Sequence, residues 1–277
     1  IGGRNGYGAK LANIFSIKFT IETVDPHRKL KFSQTYTNNM KNKTKPKIVS
    51  YKSKPFTKIT FLPDYKRFGV DKLSTDMVHL FKKRVYDISA WTDKKINVFY
   101  NKEKIDIKTF SKYVDLYIPS TQKRVQLPIN DRWDIIVTYN NDDTFEDISF
   151  VNGVHTLRGG KHVDYIVDQI KDGIVEYFKK KHKMNIKHNI VKTQLKIFMK
   201  SVITNPSFDS QTKETLTTQK KNFGTTYTVE SKMIDKMMKT EIHEKIMHQA
   251  EYKQSKELQK TDGKKKDNIK GIPKLSD

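Results

Sequence analysis

From His162 onward the apolar residues recur at helical spacing, with Val163, Ile166, Val167, Ile170, Ile174 and Phe178 on one stripe. A stripe that long has to be buried against another layer, so the rest of the chain must supply one. Period-two alternation does so on the N-terminal side. Residues 132–139 and 145–152 read as strands, joined by the polar residues 140–143 as a hairpin turn. Before them, Phe19 with Ile21, Leu30 with Phe32 and Tyr36, and Ile59 with Phe61 mark three strand faces. Residues 9–15 and 74–88 carry helical patterns, the second through Met77, Leu80, Phe81, Val85 and Ile88. Residues 96–110 return to strand character. A long helix is expected over 228–258 with Val229, Met233, Met237, Ile242, Ile246 and Ala250 inward, its Met residues serving as core filler. The class is α+β. Residues 41–58 hold seven Lys and no acid, with Pro46 and Pro55, and read as a loop. Residues 260–277 are polar and Lys-rich, a linker.

Three segments carry chemistry. The first is Gly3, Arg4, Asn5, Gly6, Tyr7, Gly8, Ala9 and Lys10. Glycines without Cβ let backbone N–H groups close around phosphate oxygens, and a following helix N-terminus favours an anion. The spacing fits neither a P-loop nor a dinucleotide fingerprint, and taken alone it suits a turn as well as a phosphate cradle. The second segment is 205–214, where Pro206 and Asp209 with Ser210 force a turn that displays Gln211 and Lys213. An amide beside an ammonium suits a group that develops negative charge; a solvated polar loop has the same composition. The third is Lys179, Lys180, Lys181, His182 and Lys183, at the end of the amphipathic stripe. Cations there offset the helix dipole, but four in five residues exceed that need and fit a phosphate backbone.

Charge and composition narrow the partners. The chain has 277 residues with 54 Lys and Arg against 31 Asp and Glu, a net +23, which points to a polyanion unless Lys is simply the default surface residue. Position decides better than totals: residues 171–200 contain nine Lys against Asp172 and Glu176 alone. The absence of cysteine excludes disulfides and thiolate metal sites, and no apolar run reaches membrane-spanning length. No metal-ligating set is nominated.

Residues 2–16, beginning Gly2-Gly3-Arg4-Asn5-Gly6-Tyr7-Gly8, closely resemble the ATP-lid motif of eukaryotic-type topoisomerase II. Residues 205–214 resemble that family's switch loop, and 148–153, 159–165 and 270–275 resemble it in the same order. The resemblance implies an internal fragment. Residues 1–108 would be the C-terminal part of a GHKL ATPase domain, 109–258 a ribosomal-S5-type transducer with long C-terminal helices, and 259–277 a linker into the cleavage domain. By the same likeness, Gly3 through Lys10 wrap the ATP triphosphate, with Gln211, Thr212 and Lys213 reaching the γ-phosphate and Gln211 and Lys213 acting in catalysis. Lys179, Lys180 and Lys181 face double-stranded DNA. The implied parent is a homodimeric type II DNA topoisomerase using ATP and Mg2+, with metal ligands, catalytic Glu and DNA-cleaving Tyr outside this chain. It works in the nucleus, or at a viral replication site if the source is a large DNA virus. The fragment alone is expected to be inactive. The alternatives are another GHKL ATPase, such as a gyrase B-type subunit, and a basic DNA-binding scaffold with no ATPase role.

Overall fold

The computed structural model of the chain describes residues 6–262. By packing, the chain forms two compact units that divide between Arg84 and Val85, each with its own five-stranded sheet.

In the first unit, α1 (Tyr7–Ile14) leads into β1 (Ser16–Asp25), which is flanked on both sides by antiparallel neighbours, β2 (Leu30–Thr37) and β5 (Thr57–Pro63). Phe19 on β1 is buried between the rings of Tyr36 and Phe61, at centroid distances of 6.5 and 6.2 Å. The loop expected over 41–58 instead contains two short strands, β3 (Asn42–Lys43) and β4 (Lys47–Ser50), both paired with β2. They are wholly exposed. Backbone pairing with β2 defines them and no residue of either is buried, so Lys-rich edge strands leave no apolar alternation to read. The helix expected at 74–88 is α2 (Thr75–Trp91), begun where Ser74 Oγ accepts from the Met77 N–H at 3.2 Å. Met77, Leu80, Phe81 and Ile88 of its apolar stripe are exposed, and Val85 is half-buried. Met77 and Phe81 line, with Phe15, Phe61 and Phe68, an open apolar cavity of about 400 Å3.

Residues 85–108 pack with the second unit. Val85, Tyr86, Ala90, Trp91, Ile105 and Ile107 join the core around Phe110 and Tyr113, so this unit begins earlier in the chain than residue 109. The strand character expected at 96–110 shrinks to a two-residue ladder of β6 (Phe99–Tyr100) and β7 (Glu103–Lys104) before α3 (Phe110–Val114), which Thr109 caps. The main sheet adds β8 (Arg124–Gln126), β9 (Trp133–Tyr139), β10 (Glu146–Val151), β11 (Val154–Thr156) and β12 (Leu195–Ser201), ordered β11-β10-β12-β9-β8. Thus the expected hairpin between residues 132–139 and 145–152 does not form. β12 lies between those strands, antiparallel to β9 and parallel to β10. The segment at 140–143 covers the start of β12 instead: the Asn140 N–H donates to Gln194 O at 2.9 Å, and Gln194 Nε2 donates to Asp143 Oδ1 at 3.0 Å. The real hairpin is β10–β11, closed by Asn152 (φ +50°) and Gly153 (φ +83°) between the paired Val151 and Val154.

Between β11 and β12 run α4 (Lys161–His182) and α5 (His188–Thr193). All six residues of the predicted stripe of α4 are buried, against Ile135, Val137, Val151, Ile197 and Met199 on one sheet face. Ile136, Ile148, Phe150 and Phe198 point the other way, onto the core of α3. The long C-terminal helix is two helices, α6 (Ser231–Met237) and α7 (Glu241–Asp262). Thr240 makes the break: its hydroxyl donates to Met237 O at 2.7 Å and accepts from the Ile242 N–H at 3.4 Å, an N-cap within a continuous apolar pattern. Met233, Met237, Ile242 and Ile246 are buried as expected, and Val229 and Ala250 partly so. The linker expected from residue 259 or 260 onward is still helix through Asp262, and the rest of it lies outside the described residues.

Candidate functional site

After β12 the chain makes a short stem and a tight tip. Phe208 and Leu216 form a bridge, the Asp209 N–H donates to Thr215 O at 3.2 Å, and the Thr215 N–H returns to Asp209 Oδ1 at 3.2 Å. Hydrogen bonding from Thr215, through its side chain first, holds the Asp209 carboxyl below the usual carboxylate range. At the tip the Lys213 N–H donates to Ser210 O at 3.1 Å, and the Ser210 and Thr212 hydroxyls meet at 2.8 Å. Gln211 and Thr212 are exposed and Lys213 is half-buried. Lys213 adopts φ +60°, a left-handed conformation that a side chain disfavours and that concentrates at functional loops. The turn and display expected at 205–214 are therefore present.

Both ends of this loop are pinned. On the incoming side, Asn152 Nδ2 donates to Ile203 O and its Oδ1 accepts the Ile203 N–H, each at 2.9 Å. On the outgoing side, the Leu216 N–H donates to Gly159 O at 3.1 Å and the Lys161 N–H to Leu216 O at 3.0 Å. The two motifs at 148–153 and 159–165 thus act as anchors for the third. Beneath the second anchor lies a buried polar cluster. Thr156 Oγ1 meets Ser149 Oγ at 2.6 Å and His162 Nε2 at 3.2 Å, while His162 Nδ1 has no partner among the described residues. Burial pushes the His162 pKa down to about 3 and raises that of Asp147.

The described part of the glycine-rich segment, Gly6 to Lys10, belongs to the other unit. Gly2, Gly3, Arg4 and Asn5 lie outside the described residues. Gly6 stands at φ +65° as the N-cap of α1, with no side chain among the described residues capping that terminus, and Tyr7, Gly8, Ala9 and Lys10 are exposed on its first turn. Backbone N–H groups collect at such a helix N-terminus, the arrangement that suits a phosphate.

Lys179, Lys180 and Lys181 occupy the exposed last turn of α4, with Lys180 Nζ 2.5 Å from Glu176. Lys180 holds the Glu176 carboxyl below its usual range. Lys183 ends the helix at φ +57°. His182 and His243 approach at 3.1 Å between their Nε2 atoms. Next to this end, a cavity of about 390 Å3 has a floor of Ile186, Ile190 and Ala250 and a rim that includes Lys183, Lys187 and Lys253. Nothing in the sequence singles out Lys187 and Lys253, because only the fold brings α7 beside the α4–α5 connection. Among the described residues no cluster of three or more His, Asp or Glu side chains is placed to hold a metal, and no helix is long and apolar enough to cross a membrane.

Comparison with known proteins places these features in context. Residues 88–266 match the DNA gyrase B family. Over 285 residues the chain is 42% identical to the DNA topoisomerase 2 of Drosophila melanogaster, covering 100% of this chain and 20% of that protein. It is 45% identical over 270 residues to the DNA topoisomerase 2 of Acanthamoeba polyphaga mimivirus, covering 95% and 21%. The chain thus spans about a fifth of the length of these curated relatives. Its fold superposes on the ATPase region of Saccharomyces cerevisiae topoisomerase II with a TM-score of 0.83 at 42% identity, covering 90% of this chain and 65% of that one. The ATPase and transducer domains of topoisomerase II from Balamuthia mandrillaris give 0.84 at 40% identity, covering 92% and 66%.

Proposed function

The chain belongs to the DNA topoisomerase II family, and from that premise we propose that it is the nucleotide-sensing part of an ATP-dependent, homodimeric type II DNA topoisomerase. In this reading residues 1–108 close the ATPase domain, although 85–108 pack in the second unit, while 109–258 form the transducer and 259–277 lead to the cleavage core. Gly3 through Lys10 cradle the triphosphate with backbone N–H groups. Gln211, Thr212 and Lys213 reach the γ-phosphate, where the Lys213 ammonium stabilises the charge that shifts as the terminal phosphoryl group leaves. Lys179, Lys180 and Lys181, with the lysine-rimmed cavity beside them, face the duplex. The parent protein relaxes and decatenates DNA by passing one duplex through a break in another, and the nucleus is its proposed location, with a viral replication site as the alternative.

The observation that carries the reading is the tip of the 205–218 loop. A lysine stands in a left-handed conformation between an exposed amide and a stem pinned at both ends. Such rigidity is unnecessary for a solvated loop and suits a group that must be aimed. The test is steady-state ATPase on the complete enzyme beside a nucleotide-binding assay. Lys213→Ala should lower kcat by about 10²–10³-fold with ATP affinity nearly unchanged. Lys213→Arg should rescue poorly, because a planar fork does not fill the place of a compact ammonium, and Gln211→Ala should be milder. A tenfold weaker Kd with kcat intact would make Lys213 a binding contact and end the catalytic assignment.

A further inference from the structure

Lys213 is followed at once by a carboxylate, Glu214. An anion beside the tip is unfavourable to the proposed chemistry twice over: it competes for the ammonium, and it repels an approaching phosphate. The fold answers with Arg158. Its Nε lies 3.1 Å from Glu214 Oε2, and its backbone N–H donates to Glu214 O at 3.0 Å, so the same residue grips both the side chain and the main chain of Glu214. The next residues continue the contact, since Gly159 and Lys161 exchange hydrogen bonds with Leu216. Gly160, at φ +131°, is what lets the two backbones come so close. A Cβ there would lie 2.4 Å from Leu216 O and 2.5 Å from Leu216 N.

We infer that Arg158 is a positioning residue for Lys213: it binds Glu214, neutralises it, and turns it away from the anion that Lys213 serves. This rests on the catalytic reading of Lys213. The ion pair has little to do for stability. The Arg158 side chain is 73% exposed, and exposed pairs contribute little to folding. The backbone ladder and Gly160 hold the loop base without it. A loss on removing Arg158 would therefore report on the local charge at the tip rather than on folding.

The experiment is a rescue series in the complete enzyme, with the melting temperature followed alongside. Arg158→Ala should lower kcat for ATP hydrolysis by about tenfold while KM moves less than about twofold, because ground-state binding of the nucleotide belongs to the glycine-rich segment. Adding Glu214→Gln should restore most of kcat, since no carboxylate then needs a partner, and Arg158→Lys should restore part of it. The inference is overturned if Arg158→Ala keeps kcat within about twofold of the parent, or if the double variant is no better than Arg158→Ala alone. Lys213→Ala, run in parallel, separates the two levels. A low kcat there beside an unaffected Arg158→Ala removes only the role of Arg158, whereas an unaffected Lys213→Ala removes the catalytic reading and this inference with it.

Discussion

His162 is fully buried, bonded through one ring nitrogen to Thr156 and through the other to nothing among the described residues. Its pKa, pushed down to about 3 by burial, makes the fold sensitive to acid. The unfolded chain takes up this proton near the ordinary histidine value of about 6.5 and the folded chain only near 3. The contribution to stability is therefore whole above about pH 6.5 and falls by about 1.4 kcal/mol per pH unit as the pH drops toward 3. Asp147 works with the opposite sign: burial raises its pKa, so its ionisation opposes folding as the pH rises through the folded value. Comparing denaturant midpoints of the parent chain and His162→Gln from about pH 7 to about pH 5 isolates the histidine. The substituted chain should show the shallower acid slope, and equal slopes would assign the sensitivity elsewhere. None of this is legible in the sequence, where His162 merely begins a helix. The turn that carries Gln211 and Lys213 is legible because Pro206 and Asp209 announce it, while the contact of Arg158 is not, because its partner Glu214 lies beyond two helices and a strand.

Elements are legible in proportion to how much of their surface is apolar on one side only. The stripe of α4 yields the helix and its buried face together, because a two-layer contact leaves the 3.6 period intact. β3 and β4 have no buried face and leave no trace. The pattern over 228–258 conceals the break at Thr240, because apolar residues continue across it into α7. The pairing error at β9 and β10 has a different cause: strands adjacent along a chain need not be adjacent in its sheet, and Asn152 with Gly153 is the stronger hairpin signal. That turn should be costly to alter. Gly153 holds φ +83°, and a Cβ there would stand 3.5 Å from the Trp91 ring. Gly153→Ala should destabilise the chain by about 1–3 kcal/mol, chiefly through left-handed strain. Equilibrium denaturation checks this, and a change under about 0.3 kcal/mol would mean the turn relaxes without resisting.

At the scale of the molecule, the proposed duplex partner rests on position rather than on net charge, since the fold sets the lysines of α4 beside the rim of the cavity at α7. Replacing Lys179, Lys180 and Lys181 with Ala in the complete enzyme should weaken DNA-stimulated ATPase while sparing basal turnover. The plot of log affinity against log salt should flatten by up to about 2.7, three counterions' worth, and an unchanged slope would return the cluster to a solvated helix end. The 277-residue chain by itself should bind a non-hydrolysable ATP analogue more weakly than about micromolar in calorimetry, because the proposed lid contacts only the phosphates. Tighter binding would mean that the residues described for the triphosphate suffice. The division between units is hidden in the sequence because α2 runs through it, its first part in one unit and its last in the other. The place of β12 carries a consequence for biogenesis. Its neighbours β9 and β10 leave the ribosome well before it, and neither has the other as its native partner in the finished sheet. Until residues 195–201 emerge, α4 lacks Ile197 and Met199 from the middle of its floor, and the apolar faces of β9 and β10 belong to an unfinished sheet. That interval is when a chaperone has most to offer it.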